Sequence, residues 1–134
     1  MHEQDYNRFP VRKNPRMKQI DYASENYYFV TVCTWDKKCI FGRPGRLNTM
    51  GKAAECGMCS ITDHFSGVRI DKFIIMPNHV HAIVVIEQRG TNLSVLMGQY
   101  KSFVSREIHK IHPNLKVWQS SFHDHVIRNQ KEYE

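Results

Sequence analysis

The 134-residue chain has no apolar run that approaches the roughly 20 residues needed to cross a bilayer. That excludes a helical membrane protein. Its first residues, Met1 to Arg16, are polar and basic and lack the apolar stretch of an export signal. A cytoplasmic protein is therefore expected, with free thiols and no disulfide framework. No linker, repeat or low-complexity segment interrupts the chain. Acidic residues are outnumbered, 13 Asp+Glu against 19 Lys+Arg, for a formal net charge of +6. That balance points to an anionic partner, with nucleic acid the first candidate. What is present suffices for one folded domain spanning 1–134, since 41% of residues are hydrophobic and 11% aromatic.

Residues 1–19 read as a basic leader carrying Arg8, Arg12, Lys13, Arg16 and Lys18. A strand is expected over 27–35, where aromatic and β-branched residues dominate. If Tyr27 and Tyr28 alternate there, one faces the core and the other the opposite face. Residues 42–46, Gly-Arg-Pro-Gly-Arg, read as a loop. Asn48 or Thr49 caps a helix carrying Ala53, Ala54, Met58, Ile61 and Phe65, with Gly67 as its stop. Strands over 68–76 and 79–87 flank Pro77, which cannot donate to a central ladder and so marks their junction. Leu93, Leu96, Met97, Tyr100, Phe103, Val104 and Ile108 recur at helical spacing, which predicts an amphipathic helix whose polar side carries Lys101, Arg106 and Lys110. A short strand follows within 115–128, and 129–134 reads as the start of another helix. The order is strand, helix, strand, strand, helix, strand. It predicts an α+β fold of the ferredoxin-like, split β-α-β kind, with helices packed on a four-stranded antiparallel sheet.

His79 and His81 lie two residues apart in a predicted strand, so both leave the same face while Val80 points into the core. Two imidazoles roughly 6–7 Å apart along a strand can share one divalent cation. An isolated His-x-His also occurs as ordinary polar surface. A second pair, His123 and His125, encloses a charged Asp124, which fits a solvated pair better. His125 lies close to Arg128, so a substrate-facing role stays open. Cys56 and Cys59 could form half a zinc site or a redox pair. Cys33 and Cys39 are poorly spaced to complete it, and all four cysteines are expected as small core residues.

Met76-Pro77-Asn78-His79-Val80-His81 resembles the His-hydrophobic-His motif of the single-tyrosine HUH transposases. The resemblance continues through Asp21–Ser24, Tyr28–Thr34, Phe41-Gly42, Leu93–Met97 and Lys101–Phe103. Trp118-Gln119 and Phe122–Asn129 look like the REP-associated branch of that family. The resemblance implies a DNA transposase that cuts and rejoins single-stranded DNA containing hairpins. It implies that His79 and His81 hold a divalent metal, Mg²⁺ or Mn²⁺, and that a tyrosine attacks to leave a 5′-phosphotyrosine link. Asn78, Lys101, Arg106, His125 and Arg128 are then the expected DNA-binding residues.

One departure from the family pattern matters. The family's nucleophile lies on a helix after the Asp-His-x-Ile-Arg run, usually followed by Ile and then Asn-Pro. Tyr133 matches a tyrosine before that nucleophile, so the catalytic helix is expected to be cut short at Glu134 and Tyr133 stands only as a fallback. A truncated or degenerate, non-catalytic single-stranded nucleic-acid-binding module is the competing expectation. A metal-dependent phosphodiesterase that uses water is a third. Monomer and homodimer are both open.

Overall fold

A computed structural model describes residues 25–87 and 91–127. The basic leader, Asp21–Ser24, Arg128, Tyr133 and the helix start at 129–134 lie outside the described residues.

The first strand, β1 (Glu25–Cys33), is built from Tyr, Phe, Val and Thr, which fit a pleated, packed surface. It ends before Trp35, two residues earlier than the composition suggests. A single helical turn at Trp35–Lys37 follows. The Gly-Arg-Pro-Gly-Arg segment is not a simple loop. Gly42–Arg43 (β2) and Arg46–Leu47 (β3) form a small antiparallel ribbon, with Gly45 at φ 81° in its turn.

Helix α1 (Thr49–Ser60) starts where Asn48 Oδ1 accepts from the Gly51 N–H at 2.9 Å. It tightens into one narrower turn at Ile61–His64, and Gly67 at φ 71° then redirects the chain. Strands β4 (Val68–Met76) and β5 (His79–Glu87) form a hairpin closed by Pro77 and Asn78. Helix α2 (Leu93–His109) begins at Asn92, whose Oδ1 accepts from the Val95 N–H at 2.8 Å. The last described strand, β6 (His123–Ile127), is short and lies within 115–128, as expected. Trp118 joins the sheet through a lone bridge to Thr34.

The sheet runs β4-β5-β1-β6, with every neighbouring pair antiparallel. This is the expected ferredoxin-like arrangement, in which β5 separates β1 from β4. Both helices pack on the face that carries Tyr28, Val30, Val32, Val80, Ala82 and Val84. Complete burial of a side chain such as Leu96 contributes about 1.5–3 kcal/mol. Tyr100 is core, as its spacing implies, and its hydroxyl donates to the Ala54 carbonyl at 2.8 Å. Trp118 packs against Tyr100 and Phe41 and donates its indole N–H to the Lys101 carbonyl at 3.1 Å.

Tyr27 and Tyr28 leave opposite faces, as their alternation implies, and both are buried, as are Ile83 and Val85 on the Tyr27 face. One expectation is corrected. The cysteines are not core residues. Cys39, Cys56 and Cys59 are exposed and Cys33 is half-buried, all as free thiols. Cys56 and Cys59 fall on the outer stripe of α1, because Ala54, Gly57 and Met58 supply its inner one.

Gly51 is fixed by close approach. A Cβ there would lie 2.1 Å from the Phe41 carbonyl oxygen. Gly51→Ala is expected to destabilise the fold by about 1–3 kcal/mol, the range for overpacking. Urea unfolding of the two proteins gives the difference directly.

Candidate metal centre

The β4–β5 turn is held from three sides. Pro77 has no N–H to leave unsatisfied, and its carbonyl accepts from the Phe41 N–H at 3.1 Å. The Asn78 carbonyl accepts from the Thr34 N–H at 3.0 Å and from the Thr34 hydroxyl at 3.1 Å. Thr34 is fully buried. The Asn78 side-chain amide donates to the Lys37 carbonyl at 3.2 Å. That carbonyl belongs to the turn in which Asp36 and Lys37 adopt φ of 55° and 53°. Left-handed backbone at residues other than glycine costs about 1–3 kcal/mol each and persists only where neighbours hold it.

His79 and His81 follow immediately. They leave the face opposite the helices, while Val80 between them is buried. Their Nε2 atoms face each other at 3.0 Å, and the rings meet edge-on with centroids 4.5 Å apart. This is closer than strand spacing alone gives, because the two rings tilt together. Their outer nitrogens are anchored: His79 Nδ1 lies 2.8 Å from Asn78 Oδ1, and His81 Nδ1 lies 2.9 Å from Thr31 Oγ1. The His81 ring also stacks on Phe29 at 5.1 Å. Burial, and after it the neighbouring His79, hold the His81 pKa below the ordinary value of 6.5, so its neutral form is favoured.

Neutral imidazole nitrogens that converge, each with its other nitrogen engaged, suit a first-row divalent cation. Among the described residues no group of three or more His, Cys, Asp or Glu gathers to complete a closed site. Beside His81, a groove of about 220 Å³ is lined by Phe29, Lys72, Ile74 and Ile83.

The family model described as "Transposase IS200 like" matches residues 24–131. The chain belongs to the IS200-like transposase family. A protein of Haemophilus influenzae with no assigned function is 32% identical over 147 residues, covering 91% of this chain and 82% of its own length. The structure of a REP-associated tyrosine transposase bound to a REP hairpin superposes with a TM-score of 0.60 at 18% identity. That match covers 82% of this chain, which spans 61% of the REP-associated protein. A crystal structure from Deinococcus radiodurans R1, assigned as a transposase, gives a TM-score of 0.63 at 14% identity, over 77% of this chain and 79% of its own. These two likenesses carry the fold. No helix among the described residues is long and apolar enough to cross a membrane.

Of the residues singled out in this transposase-family sequence, His79, His81 and Asn78 come together. Lys101 and Arg106 do not join them. Both are on α2, in the layer across the sheet, and about 100° per residue turns them roughly 140° apart. Lys101 donates to the Gln119 carbonyl at 2.6 Å, and burial lowers its pKa. Arg106 is exposed. Lys110 donates to Glu107 at 3.0 Å. By register His125 is the β6 partner of Phe29 and His123 the partner of Thr31.

Three contributors are missing from the sequence reading. Thr31 is one, and strand pairing alone brings it opposite His81. The Lys37 carbonyl is another, since a backbone atom leaves no mark in composition. The third is Trp35, 41% exposed, with Lys116 Nζ 3.7 Å from its ring centroid. The run Trp35-Asp36-Lys37-Lys38, just past a strand that ends opposite His79, was a readable hint of it.

Folding lowers the affinity of His81 for a proton, so below pH 6.5 the unfolded chain takes up more protons than the folded one. Stability is therefore expected to fall as pH drops below about 6.5. His81→Gln should flatten that slope, as read from urea midpoints across pH 5–7.

Proposed function

We propose that this IS200-like family member acts on single-stranded, hairpin-forming DNA, cutting and rejoining it with the help of a divalent cation, Mg²⁺ or Mn²⁺, at His79 and His81. The observation that carries the proposal is the opposed Nε2 pair, 3.0 Å apart, with both outer nitrogens anchored. Hairpin DNA is the substrate by likeness to the REP-associated protein, which is bound to a REP hairpin.

His79 and His81 would hold the cation, which would supply Lewis-acid stabilisation of the charge that develops on a scissile phosphate. The residues of the chain do the rest. Asn78 and Thr31 orient the two rings. The groove of Phe29, Ile74 and Ile83 suits the face of an unstacked base, and Lys72 on its wall suits a phosphate. Trp35 with Lys116 offers a second stacking surface and charge at the β1 end that faces His79. Arg128 and the basic leader are proposed to follow the backbone.

The nucleophile is a tyrosine, which leaves a 5′-phosphotyrosine link and a free 3′-hydroxyl, so rejoining needs no other energy source. None of the three tyrosines among the described residues suits that role. Tyr28 and Tyr100 are buried on the helix side. Burial, with Cys59 adding a smaller push, raises the Tyr100 phenol far above its usual range. Tyr27 is buried, and its hydroxyl accepts from Arg69 at 3.0 Å. By the family resemblance the attack is assigned to a tyrosine of the family's C-terminal helix, with Tyr133 as the fallback.

Calorimetry should show Mn²⁺ uptake by the wild type and none by the His79→Ala, His81→Ala double variant, with unchanged circular dichroism. Unchanged Mn²⁺ affinity in that variant contradicts the site. With hairpin DNA and Mn²⁺, a covalent adduct on a denaturing gel is expected from the full-length protein. Peptide mapping then names the tyrosine, and Tyr133→Phe tests the fallback. Hairpin binding without any adduct would favour a non-catalytic binding module.

A further inference from the structure

The turn, both histidines and Thr31 form one hydrogen-bonded chain, and its directions are fixed from one end. The Asn78 amide nitrogen donates to the Lys37 carbonyl, so Asn78 Oδ1 is the atom that faces His79 Nδ1. An amide oxygen only accepts, so His79 carries its proton on Nδ1. In the neutral ring Nε2 is then a bare lone pair. His81 Nε2 lies 3.0 Å from it, a hydrogen-bond distance that needs a proton between the two atoms. His81 therefore carries its proton on Nε2 and donates to His79. His81 Nδ1 is bare in turn, and the Thr31 hydroxyl, 2.9 Å away, donates to it.

We propose that Thr31 is a positioning residue whose hydroxyl reverses direction when His81 changes tautomer. The proposal rests on the reading of His79 and His81 as cation ligands. Two ligands need two bare Nε2 atoms. His79 already presents one, because Asn78 holds its tautomer. His81 does not. It must give up the Nε2 proton and gain one on Nδ1, so the ring stays neutral and no net proton is exchanged. Thr31 must then turn from donor to acceptor, which a hydroxyl can do and an amide oxygen cannot. Thr31 sits directly opposite His81 in the β1–β5 register, and its β-branched side chain is stiff at χ1, which keeps the hydroxyl in reach. The pair is thus asymmetric: His79 is preset and His81 is the one that switches.

The test uses the full chain labelled with ¹⁵N-histidine. Long-range ¹⁵N–¹H spectra of the metal-free protein should show His79 protonated on Nδ1 and His81 on Nε2. Saturation with Zn²⁺, a diamagnetic probe, should leave both protonated on Nδ1. By calorimetry, Thr31→Val should weaken Mn²⁺ binding by about 10-fold or more, in the range seen for groups that support ligands. Thr31→Ser should restore it. His81 already protonated on Nδ1 without metal would overturn the proposal. So would wild-type Mn²⁺ affinity in Thr31→Val, while leaving the two histidines standing as ligands. Absence of Mn²⁺ uptake by the wild type would instead remove the ligand reading and this proposal with it.

Discussion

The side-chain amide of Asn78 ties together what the rest of the site depends on. On one side it donates to the Lys37 carbonyl in the left-handed turn after β1. On the other it accepts from His79 and fixes that ring's orientation. The backbone of the same residue is gripped by Thr34, which is fully buried. The two-residue turn between β4 and β5 is therefore not a free hairpin tip. It is a rigid joint between two strand ends, and the His79–His81 pair stands on it. The strain at Asp36 and Lys37 persists because these contacts over-determine the turn.

The sheet divides the labour between its faces. One face carries the apolar residues that pack both helices and make the core. The other is closed over Tyr27, Ile83 and Val85 at one end and opens at His79 and His81 at the other. A central strand buried on both sides for much of its length gives the histidines a stiff base. Their rings can then be held by hydrogen bonds and by Phe29 without the backbone moving.

Much of this was legible in the sequence. The β-branched and aromatic runs marked the strands, Asn48 and Asn92 marked helix starts, and Pro77 marked the junction. The His-Val-His alternation placed both imidazoles on one face. What escaped was set by contacts between distant residues. Thr31 looks like any strand threonine until β1 pairs with β5. Cys56 and Cys59 look like core residues until α1 is oriented by Ala54, Gly57 and Met58. Lys101, Arg106 and Lys110 read as one basic set until helical rotation and the Gln119 and Glu107 contacts divide them. The Gly-Arg-Pro-Gly-Arg ribbon needed a pairing partner that periodicity does not show.

The central claim is that His79 and His81 share one divalent cation through Nε2. Anomalous diffraction from crystals grown with Mn²⁺ tests it most directly. The account predicts a manganese peak within coordination distance of both Nε2 atoms, with Asn78 and Thr31 still on the outer nitrogens and the remaining positions filled by oxygen. Manganese bound elsewhere, or an empty histidine pair still hydrogen-bonded to itself at saturating Mn²⁺, would contradict it.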